Sequence, residues 1–419
     1  MQSEPVTCLG MTMERRVRRN FLCDAINAGL FGAYIGITGP FTLALAVRLG
    51  ASSLEVGLLA AAPFAVNLLS PLWARLSATA RKVPWVVIPH AIWRGGMGLI
   101  GFIKNPALFT GMFVATNAAV AASNPAYGAL IQKIYPAPIR GRLMGYARLA
   151  MAAIMLPTTL IAGRLLDRYG PAWLYLAAGL IALTGIGIFG LIREPEGPAS
   201  PAGAPTPAPT PVPARAATPG ALAGLKLAFS DPAFRRFLVA AVVFHGGVLM
   251  ASPLYAVYQV RRMGLSNVQI SYLSIAWNVA WLAAFAFWGR VVDRKGPRPV
   301  VIGAAAFYLG MPLAYALGGG TYVLAVAGAL CQGVADAAMD LGGWNLILTK
   351  GPERVGPYTA AAMTAAGVRG ALGPLLGSWL LSGVGFEATF VTSAALVLVG
   401  LLLFVSGREV RRAATAVAS

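Results

Sequence analysis

The chain contains one stretch twice: VRLGASSLEVGLLAAAPF, beginning at Val47, returns as RRMGLSNVQISYLSIAW, beginning at Arg261, 214 positions later. The aligned pairs are Gly50 with Gly264, Ser53 with Asn267, Glu55 with Gln269 and Leu59 with Leu273. Each copy joins two long apolar stretches. A repeat of this period predicts two homologous halves.

The composition excludes an ordinary soluble domain. Of the 419 residues, 58% are hydrophobic and only 11% are charged, and the mean hydropathy is +0.70. Such a chain is expected to be an all-α integral membrane protein. The net charge of +19 would suggest nucleic-acid binding in a soluble protein, so the distribution of the charges has to decide.

Apolar stretches of membrane-spanning length occur twelve times. The predicted spans are 21–47, 54–76, 84–103, 107–132, 143–166, 172–192, 235–258, 268–289, 298–317, 321–348, 357–382 and 386–406. If both termini lie on one side, 25 Lys and Arg residues fall on that side and 6 on the other. The positive-inside rule then places both termini in the cytoplasm and explains the basic charge without nucleic acid.

The sequence also predicts how the chain is divided. Residues 1–20 are a cytoplasmic tail, 21–192 and 235–406 are six-helix bundles, and 407–419 are a second tail. Between the bundles, residues 193–234 form a cytoplasmic linker with eight prolines between positions 195 and 213, a composition that favours extended geometry. The three cysteines have neither a disulfide nor a metal-site spacing, so we expect no metal and no cofactor.

Taken together, the repeat, the twelve spans and the central loop resemble the major facilitator superfamily of secondary transporters. The most specific local likeness is Gly289-Arg-Val-Val-Asp293-Arg294-Lys295-Gly296-Pro-Arg298, similar to the loop G-x-x-x-D-[RK]-x-G-x-[RK] of that family. The resemblance implies a transporter rather than an enzyme. It implies alternating access, a small-molecule substrate and a multi-pass position in the cell membrane. We expect a monomer embedded in a bacterial inner membrane.

The same loop is a candidate cytoplasmic gate, formed by Gly289, Asp293, Arg294, Gly296 and Arg298. A carboxylate at a helix end can pair with Arg or accept from a neighbouring helix N-terminus, so Asp293 could latch one conformation. The alternative is that the basic residues only determine topology. The corresponding loop after span 2 lacks the acid, because Arg75 and Thr79 align with Gly289 and Asp293.

Ionisable side chains inside the spans are the main candidates for function, because lipid should have excluded them. Gln332, Asp336, Asp340 and Trp344 recur every fourth residue in span 10 and form one helical stripe, while Arg369 lies in span 11. One interpretation is that Asp336 or Asp340 exchanges protons with the help of Arg369. The other is a permanent structural pair with Arg369.

Polar residues elsewhere in the spans complete the predicted substrate and proton pathway. They are Asp24, Asn27, Tyr34, Arg94, Asn117 and Asn124 in the first half and His245 and Asn278 in the second. Arg94 could bind an anionic group, pair with Asp24, or serve only as a topological charge. His245 could join a proton relay with Asp336 or Asp340, or make a helix–helix hydrogen bond.

The expected function is proton-coupled export of a small amphipathic or drug-like compound. Gly373-Pro374-Leu-Leu-Gly377 resembles a Gly-Pro motif of exporters, although that motif usually lies in span 5 and here lies in span 11. Arg94 and Arg369 favour the alternative, proton-coupled uptake of a polar or anionic solute. An intramembrane prenyltransferase is a remote alternative, since Asp336 and Asp340 form one acidic pair without the second cluster that such enzymes need.

Overall fold

The computed structural model describes residues 5–8, 10–78, 80–195, 229–348 and 352–406. These residues form fifteen α-helices, one short 3₁₀ turn at Ile100–Phe102 and one two-stranded sheet. Most of the predicted Pro-rich linker, residues 196–228, lies outside the described part, as does the predicted tail at 407–419.

The helices before the linker are α1 Arg15–Thr38, α2 Thr42–Arg48, α3 Ser53–Asn67, α4 Ser70–Ser77, α5 Lys82–Leu99, α6 Pro106–Ala121, α7 Ser123–Ile134, α8 Ala137–Tyr169 and α9 Pro171–Phe189. Those after it are α10 Pro232–Arg261, α11 Asn267–Lys295, α12 Pro297–Tyr308, α13 Gly310–Leu317, α14 Tyr322–Leu348 and α15 Pro352–Val405. Every predicted span falls on these helices. The last two spans share α15, which is interrupted at Gly385, where φ is 82°.

Nine helical segments in the described ranges are long and apolar enough to cross a membrane. The number is smaller than twelve partly because one segment, Ala361–Val405, covers both predicted spans of α15. In addition, the span predicted over 54–76 is split into α3, of 15 residues, and α4, of 8 residues. The segments satisfy the length that a bilayer requires of a helix.

The sequence repeat is also a structural repeat. Gly50 and Gly264 both have positive φ, 92° and 63°, in the turns that lead into α3 and α11. At the start of α3 the Glu55 carboxylate accepts from the Ser52 N–H at 2.7 Å, and at the start of α11 the Gln269 side chain accepts from the Ser266 N–H at 3.0 Å. Both are capping boxes, which satisfy the backbone donors of a helix N-terminus.

The chain divides into two compact units. Unit 1 consists of Met1–Gly50, Val66–Val212 and Ser266–Ser271, and unit 2 consists of Ala51–Ala65, Pro213–Leu265 and Tyr272–Ser419. All of α3 except its last two residues belongs to unit 2, and the first turn of α11 belongs to unit 1.

In unit 1, α1 packs on α8 and α9, and α5 packs on α6, α7 and α9. Small residues allow these contacts to be close: a Cβ added to Gly179 of α9 would lie 2.6 Å from the Cα of Gly98 in α5. In unit 2, α10 packs on α15, and α12 packs on α14. One core cluster of this unit includes Phe244, Trp288, Tyr308 and Val397. Close approach of small residues is a common way for membrane helices to associate.

A β-hairpin precedes α1 in the stretch that the sequence predicts to be a tail. Its strands are β1 Pro5–Cys8 and β2 Met11–Glu14, which pair antiparallel. Met11 and Met13 are buried in the core cluster of unit 1, while Thr12 and Glu14 are exposed. This alternation of buried and exposed residues is the pattern of a half-buried strand.

Candidate functional site

A cavity of about 290 Å³ lies inside unit 1 and is called the unit 1 cavity here. Its lining includes three residues of the predicted pathway, Asp24, Asn27 and Arg94, together with His90 and Arg148. The side chains come from α1, α5 and α8, with Tyr127 of α7 completing the wall. Two arginines and one aspartate line the cavity, so its lining has a net positive charge.

Arg94 is the central cation of this cavity and is only 2% exposed. Its Nη1 donates to the Asn27 Oδ1 at 2.8 Å and to the Ala182 carbonyl at 2.9 Å, and its guanidinium carbon lies 4.7 Å from the centre of the Phe31 ring. All of these contacts are to neutral groups. The structure records no ion pair between Arg94 and a carboxylate of the described residues.

Asp24 lines the same cavity but takes a different partner. Its Oδ2 accepts a hydrogen bond from the Tyr135 hydroxyl at 2.7 Å, and the side chain is 3% exposed. The pairing of Asp24 with Arg94, one of the three interpretations of Arg94, is therefore absent from the described contacts. The carboxylate is instead held by a phenol from the end of α7.

Aromatic rings pack beside Arg94. Tyr34 and Trp93 meet edge to face with ring centres 5.5 Å apart, and Phe31 lies 5.7 Å from Tyr34. The Tyr34 hydroxyl and the Trp93 Nε1 are buried, and the described residues give them no hydrogen-bond partner. Unsatisfied buried donors are rare in native proteins and call for an explanation.

Asn117 and Asn124 do not line the unit 1 cavity. The Asn117 amide donates to the Phe113 carbonyl of its own helix at 2.9 Å. The Asn124 amide donates to the Asn67 Oδ1 at 2.7 Å and is exposed. Their direct contacts are thus with helix backbone and with a neighbouring asparagine.

A second cavity, of about 220 Å³, lies inside unit 2 and is called the unit 2 cavity. His245, Asp340 and Arg369 of the predicted pathway line it, together with Thr359. The rest of the wall is apolar, formed by Phe237, Leu238, Ala241, Met339, Gly343, Ala362, Met363 and Ala366. The cavity therefore combines an apolar wall with a few ionisable groups.

Arg369 resembles Arg94 in its contacts. Its Nη1 donates to the Ala241 carbonyl at 3.3 Å, and no ion pair with a described carboxylate is recorded. Asp340 accepts from the Trp281 Nε1 at 3.2 Å. The structural pair with Arg369, offered as one interpretation of the span 10 aspartates, is not among the described ion pairs.

Asp336 of α14 accepts hydrogen bonds from three side chains. It accepts from the Trp277 Nε1 of α11 at 2.7 Å, from the Tyr308 hydroxyl of α12, and from Gln332 one turn earlier at 3.3 Å. The predicted stripe thus brings Gln332 and Asp336 together. All three recorded donors are neutral, and Asp336 does not line the unit 2 cavity.

Both histidines of the chain line a cavity, His90 the unit 1 cavity and His245 the unit 2 cavity. The Nδ1 atoms lie 3.0 Å from the Val86 carbonyl and 3.1 Å from the Ala241 carbonyl, four residues earlier in each helix. Because a carbonyl only accepts, Nδ1 carries the proton in these contacts. When such a ring is neutral, its Nε2 atom is an acceptor.

The remaining predicted residues are placed as follows. The Asn278 amide donates to the Ser274 carbonyl of its own helix at 2.8 Å. Trp344 lies on α14, but its side chain is outside the described part. The gate residues lie at the junction of α11 and α12, where Gly296 has a φ of 77° and the Arg298 Nη2 approaches the Phe404 carbonyl at 3.5 Å. Asp293 is exposed there, so its latch role stays a prediction.

Two residues that make notable hydrogen bonds in the structure were not predicted from the sequence. Asp167 binds the first turn of α11, but in the sequence it stands between Arg164 and Arg168, two of the six basic residues on the non-cytoplasmic side of the predicted spans. Tyr308 gives a hydrogen bond to Asp336, but it is one of thirteen tyrosines in an apolar chain. An acid between two bases near a helix end was a usable signal for Asp167, whereas nothing local marks Tyr308.

The fold of this chain is similar to that of several solved transporter structures. A bacterial homologue of the human lysosomal transporter Spinster, in an inward-facing unoccupied conformation, has a TM-score of 0.65 at 14% identity, covering 94% of this chain and 97% of that one. The nucleoside transporter NupG has a TM-score of 0.66 at 12% identity, with coverages of 94% and 98%. A D-xylose–proton symporter has a TM-score of 0.60 at 16% identity, with coverages of 93% and 97%. These likenesses show the fold.

A search of curated protein sequences returns no match. The family model of the Major Facilitator Superfamily matches residues 25–368 and, in a second match, residues 287–418, which together cover nearly the whole chain. This agrees with the all-α membrane architecture of two helix bundles and with the resemblance of the loop after span 8. The chain therefore belongs to the Major Facilitator Superfamily and is a multi-pass membrane transporter.

Proposed function

We propose that this chain is a proton-coupled secondary transporter that works by alternating access, with Asp336 as the carboxyl group that takes up and releases the proton. The observation that carries this proposal is the set of neutral donors around Asp336, from Trp277, Tyr308 and Gln332. A carboxyl inside a membrane bundle is expensive to retain and usually functional.

The arrangement around Asp336 suits reversible protonation. The donors come from α11, α12 and α14, so relative movement of these helices changes how many hydrogen bonds reach the carboxylate. Hydrogen bonds to the charged form are one of the factors that set the protonation of a carboxyl group. No cation is recorded among the described partners, so a permanent ion pair does not hold this group in one state.

The proposed substrate is a small amphipathic compound. The unit 2 cavity places a few polar or charged groups in a largely apolar wall, as small-molecule sites commonly do. The unit 1 cavity combines several polar and charged side chains with apolar ones. Export of such a compound is the first candidate function. Proton-coupled uptake of an anionic solute is the second, and it is favoured by Arg94 and Arg369, whose recorded partners are neutral.

The proposed setting is a bacterial inner membrane with both termini in the cytoplasm. The excess of Lys and Arg in the connections on one side of the predicted spans, 25 against 6, supports this orientation. Monomeric function is proposed as well.

The test uses the purified full-length protein in liposomes that contain a pH-sensitive dye. A cationic amphiphile, a sugar and an organic anion are added in turn, and the internal pH is followed. We expect one class to drive proton movement, and the sign of the pH change distinguishes export from uptake. Asp336→Asn should lose this movement while still exchanging the compound. Glu387→Gln is the matched control, because Glu387 is an exposed acid paired with Arg262 at 3.7 Å.

Proton movement that is equal in Asp336→Asn and in the unmodified protein would contradict the assignment of Asp336. Compound exchange without proton movement in the unmodified protein would contradict proton coupling itself.

A further inference from the structure

We propose that Arg94 binds an anionic oxygen group of the transported compound, a carboxylate or a comparable oxyanion, inside the unit 1 cavity. This inference rests on the proposed function only in taking the chain to carry a small organic compound. It adds the charge class of that compound and the residue that recognises it.

The guanidinium of Arg94 has N–H donors to which the described residues give no partner. An arginine side chain has five N–H donors. In Arg94 the recorded hydrogen bonds all leave from Nη1, and the described residues give no partner to Nε or Nη2. The Nε and Nη2 donors point from one edge of the guanidinium plane. That edge matches the two oxygens of a carboxylate.

The positive charge of Arg94 is not balanced by a charged partner among the described residues. Arg94 is 2% exposed and has only neutral partners, which are Asn27, the Ala182 carbonyl and the Phe31 ring. A buried cation without a counter-charge is costly, and an anion in the adjoining cavity would remove that cost. The acid in the same wall, Asp24, is already hydrogen-bonded to Tyr135. Arg148 adds a second positive charge to the lining.

Two aromatic residues with hydrogen-bond donors lie near Arg94. The Tyr34 side chain is fully buried, and its hydroxyl has no described acceptor. The Trp93 Nε1 is also buried without one, and the two rings are in contact. These donors lie beside the unit 1 cavity and not in its wall, so they favour acceptor-bearing compounds over cations only through their dipoles.

The competing explanation is that Arg94 is a structural tie. Its bonds to Asn27 and Ala182 connect α5 with α1 and α9, and a tie of this kind needs no ligand. The two explanations differ in one measurable property. A structural tie has no preference for the charge of a bound compound, whereas an anion site does.

The experiment measures binding by titration calorimetry to the full-length protein in a non-ionic detergent at neutral pH. The probes are matched pairs that differ only in charge: benzoate with benzamide, 1-naphthoate with 1-naphthamide, and octanoate with octanamide. We expect at least one carboxylate to bind about tenfold or more tightly than its amide, as a charge-assisted hydrogen bond allows. Arg94→Gln should remove that preference, and Arg94→Lys should keep part of it.

The matched control is Arg142→Gln, which removes an exposed arginine of α8 that does not line the cavity. It should keep the full preference. Retention of the preference in Arg94→Gln, or the absence of any carboxylate preference in the unmodified protein, would overturn the inference. Displacement of the bound carboxylate by phosphatidylglycerol would also overturn it, because the site would then belong to a lipid headgroup.

The result is separable from the proposed function. Asp336→Asn should bind the carboxylate with unchanged preference, because Asp336 does not line the unit 1 cavity. A result that contradicts proton coupling would therefore not contradict the anion site. A result that contradicts the anion site would not contradict proton coupling through Asp336.

Discussion

The carboxylate of Asp167 accepts two hydrogen bonds from Asn267, one from the backbone N–H at 2.9 Å and one from the side-chain amide at 2.7 Å. Its other oxygen accepts from the Val268 N–H at 3.0 Å. An acid from the C-terminal end of α8 thus caps the N-terminus of α11. A negative charge is stabilising there, because the first backbone donors of a helix have no partner inside it.

Asp167→Ala should destabilise the folded protein by about 1 kcal/mol, the usual effect of losing a helix cap. The measurement is the apparent unfolding temperature of the detergent-solubilised protein. The control is Arg168→Ala, the next residue, whose recorded contact is with the exposed ring of Tyr169. If both variants unfold at the same temperature, the cap does not contribute to stability.

Trp277→Phe should reduce substrate-driven proton movement by about tenfold, because it keeps an aromatic ring but removes the 2.7 Å hydrogen bond to Asp336. Trp281→Phe is the matched variant. It removes the longer 3.2 Å hydrogen bond to Asp340 and should have a smaller effect. The liposome assay with the internal pH dye measures both. A larger effect of Trp281→Phe would point to Asp340 as the coupling residue instead.

Gly377→Ala should prevent close packing of α15 on α10. A Cβ at this position would overlap the Met250 carbonyl oxygen, so the helices would have to move apart. We expect a low yield of monodisperse protein in size-exclusion chromatography. Gly383→Ala, in the same helix with no atom within 4 Å of the added Cβ, should fold normally. Equal yields of the two variants would show that the added methyl group is accommodated without loss of folded protein.

Gln269→Ala and Glu55→Ala should each lower the stability by about 1 kcal/mol, because each opens a capping box. Glu55→Gln should behave almost like the unmodified protein, since it gives the first copy of the repeat the side chain of the second. Thermal unfolding in detergent again gives the comparison. A Glu55→Gln variant as unstable as Glu55→Ala would mean that charge, not hydrogen-bond geometry, matters at α3.

The sequence determined the secondary structure of most of the molecule because the signals are local. Each predicted span is a mostly apolar stretch, and each lies mainly on described helices, although several spans are divided between two helices and the last two share one. The repeat at Val47 and Arg261 likewise predicted equivalent local structure, which the two capping boxes and the positive-φ glycines provide. The hairpin before α1 was not predicted, because strands of four residues are too short to give a clear alternating pattern.

Which polar side chains meet was decided only by the tertiary structure. Helical periodicity places Asp336 and Gln332 on one face of α14, but it does not show that Tyr308, 28 residues away, reaches the same carboxylate. Similarly, Asp24 and Arg94 were plausible partners in sequence, yet Asp24 bonds to Tyr135 and Arg94 to Asn27. The reason is geometric, since pairing depends on how each helix is rotated and shifted against its neighbours. That rotation is set by small-residue packing along the whole interface, and no single stretch of sequence records it.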